Sequence, residues 1–284
     1  MTTSRTYEER HRAAEEVFLR MQGGQLDTER AVRAMHRRYG ALGSHAVDYV
    51  MGDLWSRPQL TRRDRSLVVI AVLASMGSVE ELAGHVEIGL NHGLTREEVD
   101  EIVLQVAAYA GYPMAMAATR VVDRTFCRID GVDRQPARRP ADAKDDDRRR
   151  ADAADVLRTL TAGRAAAQPE QALADIVALL GDVGKLAFDW AFGEVWARPQ
   201  LSRRDRSLIV VAILTWLGKD RELAFHIPAA LNHGLSRDEV REIMVQMCVY
   251  GGLPRAVEGM RAAQEAFAHL DGTAPDAARR APVE

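Results

Sequence analysis

The chain has 284 residues, 47% of them hydrophobic and 28% charged, with a net charge of −3. That balance belongs to a globular protein with ample apolar surface to bury, and it offers nucleic acid no general attraction. Two cysteines, Cys127 and Cys248, lie far apart and form no C-x-x-C pair, which argues against a disulfide scaffold, a zinc site and a dithiol redox centre, and fits a reducing cytoplasm.

Residues 1–6 read as a frayed tail. The segment Tyr7–Met21 groups Val17, Phe18 and Met21 on one stripe, which predicts a short amphipathic helix ended by Gly23-Gly24. Arg5, Glu8, Glu9 and Arg10 make this end too charged for a signal peptide. The longest apolar runs, Leu67–Met76 and Leu208–Leu217, are about half the ~20 residues of a membrane span. A soluble cytoplasmic protein with no membrane or nucleic-acid partner is expected.

From about Glu29 the chain repeats itself. Shifted by 141 positions, residues 29–131 align with 170–272 without a gap. Over the sixteen positions Gly52–Leu67 and Gly193–Leu208, twelve are identical, including the Trp-x-Arg-Pro-Gln-Leu and Arg-Arg-Asp-Arg-Ser-Leu stretches. A tandem duplication follows.

Each copy is punctuated as helices. Pro58 and Pro199 precede Thr61 and Ser202, which read as N-caps with Asp64 and Asp205 three residues on. The apolar runs that follow exceed ten residues before Gly77 or Gly218, too long for strands, and being apolar all round they should be buried all round. Next comes Glu81-x-x-x-His85, ending at Asn91-His92-Gly93, and its copy Glu222-x-x-x-His226, ending at Asn232-His233-Gly234. At that spacing an acid and a base share one helix face within hydrogen-bonding reach. Pro228 lies inside the second of these helices and should kink it. Capping boxes Thr95-x-x-Glu98 and Ser236-x-x-Glu239 open the next pair, in which Val99, Ile102, Val103, Val106 and Tyr109 mark a core stripe. Pro113 and Pro254 start a final helix in each copy. The domain reading is therefore an N-terminal helical extension over 1–28, a first repeat over 29–131, a linker over 132–168, a second repeat over 169–272 and a disordered tail over 273–284. Asp145-Asp-Asp147 and Arg148-Arg-Arg150 in the linker neutralise each other.

With these stretches assembled, both copies resemble the carboxymuconolactone decarboxylase family. The resemblance rests on R-P-x-L-x-R-R-x-R-S-L, on E-L-x-x-H-x-x-x-x-L-N-x-G-L-[TS]-x-x-E-[VI], and on a helix ending near Tyr-x-Gly-x-Pro. It implies an all-α fold shared with the alkyl hydroperoxidase D-like proteins, the two halves related by a pseudo-two-fold axis, and a homo-oligomer, a trimer of two-repeat chains or a dimer. The hydroperoxidase branch carries a C-x-x-C and an upstream Glu. Registered on the His, those cysteines fall at Ser78 and Glu81 and at Lys219 and Glu222, and the Glu falls at Ser66 and Ser207, so thiol peroxidase chemistry is disfavoured. Where decarboxylase-type members often read Leu-Asn-Asn-Gly, this chain reads Leu-Asn-His-Gly twice, adding His92 and His233.

The reaction the resemblance implies loses carbon dioxide from a small cyclic or unsaturated acid or lactone, or carries out a related isomerisation or cyclisation, with no cofactor and no metal. Histidine titrates near neutrality and suits proton transfer, while arginine suits carboxylates. On this reading His85 and His226 are general acid/bases and Glu81 and Glu222 orient them. Arg65 and Arg206 hold the anion, Trp55 and Trp196 wall the pocket, and His92 and His233 contact substrate. Plainer readings stay open: an ordinary Glu–His bond, arginines in ion pairs, core tryptophans, and histidines serving helix ends. So does a non-catalytic ligand-binding or assembly protein built on the same fold.

Overall fold

Helices α4 (Arg62–Met76) and α10 (Arg203–Leu217), apolar on every face, lie side by side at the centre, and their runs Leu67–Ala71 and Leu208–Ala212 are fully buried. The computed structural model describes residues 5–24, 27–132 and 143–273, all of it helices and their connections. Around α4 the first half places α1 (Tyr7–Met21), α2 (Thr28–Tyr39), α3 (Ala41–His45), α5 (Val79–Asn91), α6 (Arg96–Tyr109) and α7 (Tyr112–Asp130). Around α10 the second half places α8 (Asp146–Leu160), α9 (Pro169–Leu186), α11 (Asp220–Asn232), α12 (Arg237–Tyr250) and α13 (Leu253–Leu270). Two ten-residue π-helical segments, Ala46–Trp55 and Ala187–Trp196, lead into α4 and α10 and each ends on its tryptophan. Such wide turns are uncommon and gather at functional sites.

The predicted caps form. Thr61 and Ser202 each accept from the backbone N–H three residues on at 3.1 Å, and both Thr95/Glu98 and Ser236/Glu239 make the full reciprocal box. Asp64 and Asp205 do not reciprocate; their carboxylates turn to the other half, to Arg204 at 3.0 Å and Arg63 at 2.9 Å. Helix α11 runs continuously through Pro228 and matches α5 in length at thirteen residues.

Part of the expected linker is the helix α8. Asp145 caps it, Asp146 and Asp147 sit in its first turn, and Ala153, Ala154, Val156 and Leu160 are buried. It is the second half's counterpart of α1. Arg10 bonds Asp53 as Arg149 bonds Glu194, both at 2.8 Å, and Asn91 donates to the Met21 carbonyl as Asn232 does to that of Leu160. A Cβ on Gly52 or Gly193 would come within 2.6 Å of the carbonyl of Arg10 or Arg149, so glycine lets these helices lie against the π-helical segments. Residues 1–4 of the expected tail, 133–142 of the linker and 274–284 at the end lie outside the described residues.

The halves meet through α4, α6, α10 and α12. The buried ion pairs between the halves occur twice with their partners exchanged, as an isologous interface requires. Buried Glu242 of α12 accepts from Arg57 at 2.7 Å and from Arg65 at 2.7 Å, while buried Glu101 of α6 accepts from Arg198 at 2.6 Å and Arg206 at 2.7 Å. The pseudo-two-fold axis is visible in these pairs.

Candidate active site

Each tryptophan at the end of a π-helical segment gathers a cluster. In the first, His85 stacks on Trp55 with ring centroids 6.1 Å apart, and His92 lies tilted against it at 5.7 Å. Trp55 Nε1 donates to the hydroxyl of Tyr250 at 3.0 Å, and that hydroxyl sits 3.4 Å from His85 Nε2. In the second, His226 and His233 flank Trp196 at 6.2 and 5.9 Å, Trp196 Nε1 donates to Tyr109 at 2.9 Å, and Tyr109 lies 3.4 Å from His226 Nε2. The tyrosine comes from the opposite half each time. Both clusters are composites, built across the pseudo-two-fold axis.

A phenol has one proton. In the arrangement where each tyrosine, accepting from a tryptophan, gives its own proton to histidine Nε2, that nitrogen is an unprotonated acceptor. The neutral imidazole therefore carries its proton on Nδ1. His85 Nδ1 is buried and has no protein partner among the described residues. Burial pushes the tyrosine hydroxyls' pKa well up, which keeps that proton in place.

The imidazoles depart from the expectation of a group titrating near neutrality. Burial, helped by the neighbouring histidine, lowers His85 to about 4 and His226 to about 3. His92 and His233 also fall to about 4, mainly through burial. Desolvation disfavours the cation, so all four rest neutral at pH 7. His92 and His233 bond Ser66 and Ser207 through Nδ1 at 2.9 and 2.8 Å, at the positions where the hydroperoxidase branch has a glutamate.

The expected Glu–His bonds are not made. Glu81 is exposed and binds Ser78 at 2.5 Å, its charge reaching His85 only at a distance, and Glu222 is exposed at the rim of the second cluster. Both imidazoles turn inward to the aromatic rings while the carboxylates stay in water. Arg65 and Arg206 are at most 1% exposed and are held by Glu242 and Glu101, with Gln246 and Gln105 alongside. Trp55 and Trp196 are buried at 3% and 1% exposed, with the histidine rings lying against them. Tyr109 and Tyr250 were read only as a core stripe and a helix end. The signal for them was that a tyrosine recurs at the 141-residue shift two residues before a glycine, Gly111 and Gly252.

The clusters open differently. A cleft of about 860 Å³ reaches Trp55 and His92 between α1 and the start of α4. An apolar pocket of about 690 Å³ reaches His226 past Leu157, Ile176, Leu179, Phe192 and Phe225. Among the described residues, no group of His, Cys, Asp and Glu is arranged to hold a metal ion, and no helix is long and apolar enough to cross a membrane.

Comparison with known proteins agrees with the repeat. The model of the carboxymuconolactone decarboxylase family matches twice, over residues 41–124 and 181–265, more than half of the chain. The chain belongs to this family. A 4-carboxymuconolactone decarboxylase of Acinetobacter baylyi is 42% identical over 87 residues, 31% of this chain and 64% of that protein. A nitrosuccinic acid decarboxylase of Metarhizium robertsii is 36% identical over 81 residues, 28% of this chain and 57% of its own length. An uncharacterised 15.0 kDa protein of Paracoccus denitrificans is 29% identical over 82 residues, covering 28% and 61%. The chain thus spans less than two thirds of the length of each of these relatives.

Proposed function

We propose that this chain is a decarboxylase of a small acid whose departing carboxylate stands next to, or in conjugation with, a lactone, nitro or similar unsaturated group, and that it works at two composite sites. The observation that carries this reading is the buried, unpartnered Nδ1 of His85, whose other ring nitrogen faces Tyr250 and whose ring lies on Trp55. A buried donor without a partner is costly, and a ligand oxygen would satisfy it.

Loss of carbon dioxide breaks one carbon–carbon bond and leaves its electron pair on the substrate, where the unsaturated group takes it up as negative charge on oxygen. A neutral imidazole N–H aimed at that oxygen stabilises the charge as it develops, in a site that excludes most water. The carbon then takes a proton from solvent. His85 and His226 are the hydrogen-bond donors on this reading, Tyr250 and Tyr109 position them, Trp55 and Trp196 are the walls, and His92 and His233 flank the substrate. Arg65 and Arg206 hold the halves together, and Glu81 and Glu222 stay at the rim. The names of the two decarboxylase relatives, both acting on small acids, support the substrate class.

Turnover of 4-carboxymuconolactone, followed spectrophotometrically, is the test, with nitrosuccinic acid as a second substrate. Because kcat/KM reports the free enzyme and its imidazoles are already neutral, it should stay flat between about pH 6 and 8. A descending limb centred near pH 6.5 would mean that an imidazolium does the work and would overturn this mechanism.

We also infer a cytoplasmic homo-oligomer. Leu179, Leu180, Val183 and Leu186 on α9 are 50–77% exposed, a row of apolar side chains that a second copy would cover. Light scattering at micromolar concentration should give a multiple of 31.4 kDa, and a monomeric mass would sink the inference.

A further inference from the structure

The two clusters are surrounded by different charges. In the second half, Arg203 of α10 binds Asp155 and, at 2.7 Å, Thr159 of α8, and Thr159 in turn lies 3.1 Å from His233 Nε2. This Asp155–Arg203–Thr159–His233 chain runs from α8 across to α10 and on to the second cluster. In the first half, Glu16, Arg62 and Arg20 stand at the corresponding positions. Arg20 takes Glu16 for itself, one helical turn away.

Arg62 is therefore left exposed, with no hydrogen bond or ion pair among the described residues, and His92 Nε2 loses the partner that its counterpart has. Both face the 860 Å³ cleft. A second positive charge borders it. Arg57 lines the cleft and shares the single carboxylate of Glu242 with Arg65, so two guanidinium groups meet one negative charge. Arg63, also in the wall, is matched by Glu98 and Asp205. Of the arginines that line the cleft, Arg62 is the one with no carboxylate partner among the described residues, and it stands in the same wall as Trp55 and His92.

We propose that Arg62 is a specificity-determining anion anchor, and that the first half's site alone takes a doubly charged small molecule, one carboxylate held by Arg62 and Arg57 while the rest of the ligand lies against Trp55 and His92. In the second half the matching arginine is paired with Asp155, and an apolar pocket reaches His226. The two sites have diverged in ligand class. The assignment rests on the decarboxylase reading for what happens after binding, but not for binding itself.

Calorimetric titration of the full chain with succinate, and with acetate as the singly charged comparison, tests it. Succinate is expected to bind at one site per chain, more tightly than acetate and less tightly as salt is raised. Arg62→Gln should weaken succinate by roughly tenfold or more, the effect of losing a charge-assisted contact, while Arg203→Gln should leave it unchanged. Arg20→Thr, which frees Glu16 to close over Arg62, should weaken it as well with Arg62 still present. Two equivalent sites, no measurable succinate binding, wild-type affinity in Arg62→Gln or an equal loss in Arg203→Gln would each overturn the anchor. Binding through Arg62 without turnover of any acid would retain the anchor and remove the decarboxylase reading. Turnover with an unchanged KM in Arg62→Gln would remove the anchor alone.

Discussion

Glu242→Ala is expected to destabilise the fold by about 3–5 kcal/mol, since it leaves the guanidinium of Arg65 buried without its counter-charge. That is a large part of the ~5–15 kcal/mol that separates a typical folded domain from its unfolded chain. The carboxylate is 1% exposed and answers two arginines, and neither water nor a neighbouring acid can replace it. Glu101→Ala should behave alike through Arg206 and Arg198. Replacing Arg65 and Glu242 together by Met and Leu removes both charges and should cost much less. Urea denaturation measures all three. A loss below about 1 kcal/mol for Glu242→Ala would show that these buried pairs do not hold the halves together.

The second large effect concerns turnover. Removing both proposed donors, His85→Ala with His226→Ala, should lower kcat by roughly 10²–10⁴. The informative variants cross the halves. Tyr250 belongs to the site of His85, 165 residues away, and not to that of His226, which lies in its own half. Adding Tyr250→Phe to His85→Ala should therefore cost almost nothing further, because that site is already disabled. Adding it to His226→Ala should impair the remaining site. The reverse order of losses in steady-state assays would assign the tyrosines to their own halves and contradict the composite geometry.

Much of this architecture was legible in the residues. The duplication, the caps at Thr61, Thr95, Ser202 and Ser236 and the two all-apolar helices rest on local signals, and each formed. Helix α8 was obscured by its own charges. Its Asp and Arg runs read as a linker, yet they cap and ion-pair a helix that buries only Ala153, Ala154, Val156 and Leu160. The partners of the candidate histidines were not legible. Spacing places Glu81 and His85 on one face, but the side chains diverge, one to water and one to the rings. Arg65 pairs with a residue 177 positions away, which no local pattern reveals. A hint was nonetheless present: Glu101-x-x-x-Gln105 and Glu242-x-x-x-Gln246 recur inside apolar helices, where a repeated acid needs a buried cation. The π-helical segments left no signal that we can identify.

Covalent fusion of the two halves has a genetic consequence. Were this interface formed by two identical chains, every substitution would enter both sites at once, and a change useful in one would be imposed on the other. Here a single codon alters one site. Threonine at 159 opposite arginine at 20, and proline at 228 opposite glutamate at 87, are differences that a symmetric pair could never hold. Such a gene is free to keep one ancestral activity while the other half drifts toward a new one, each half still obliged to preserve the tyrosine its neighbour uses.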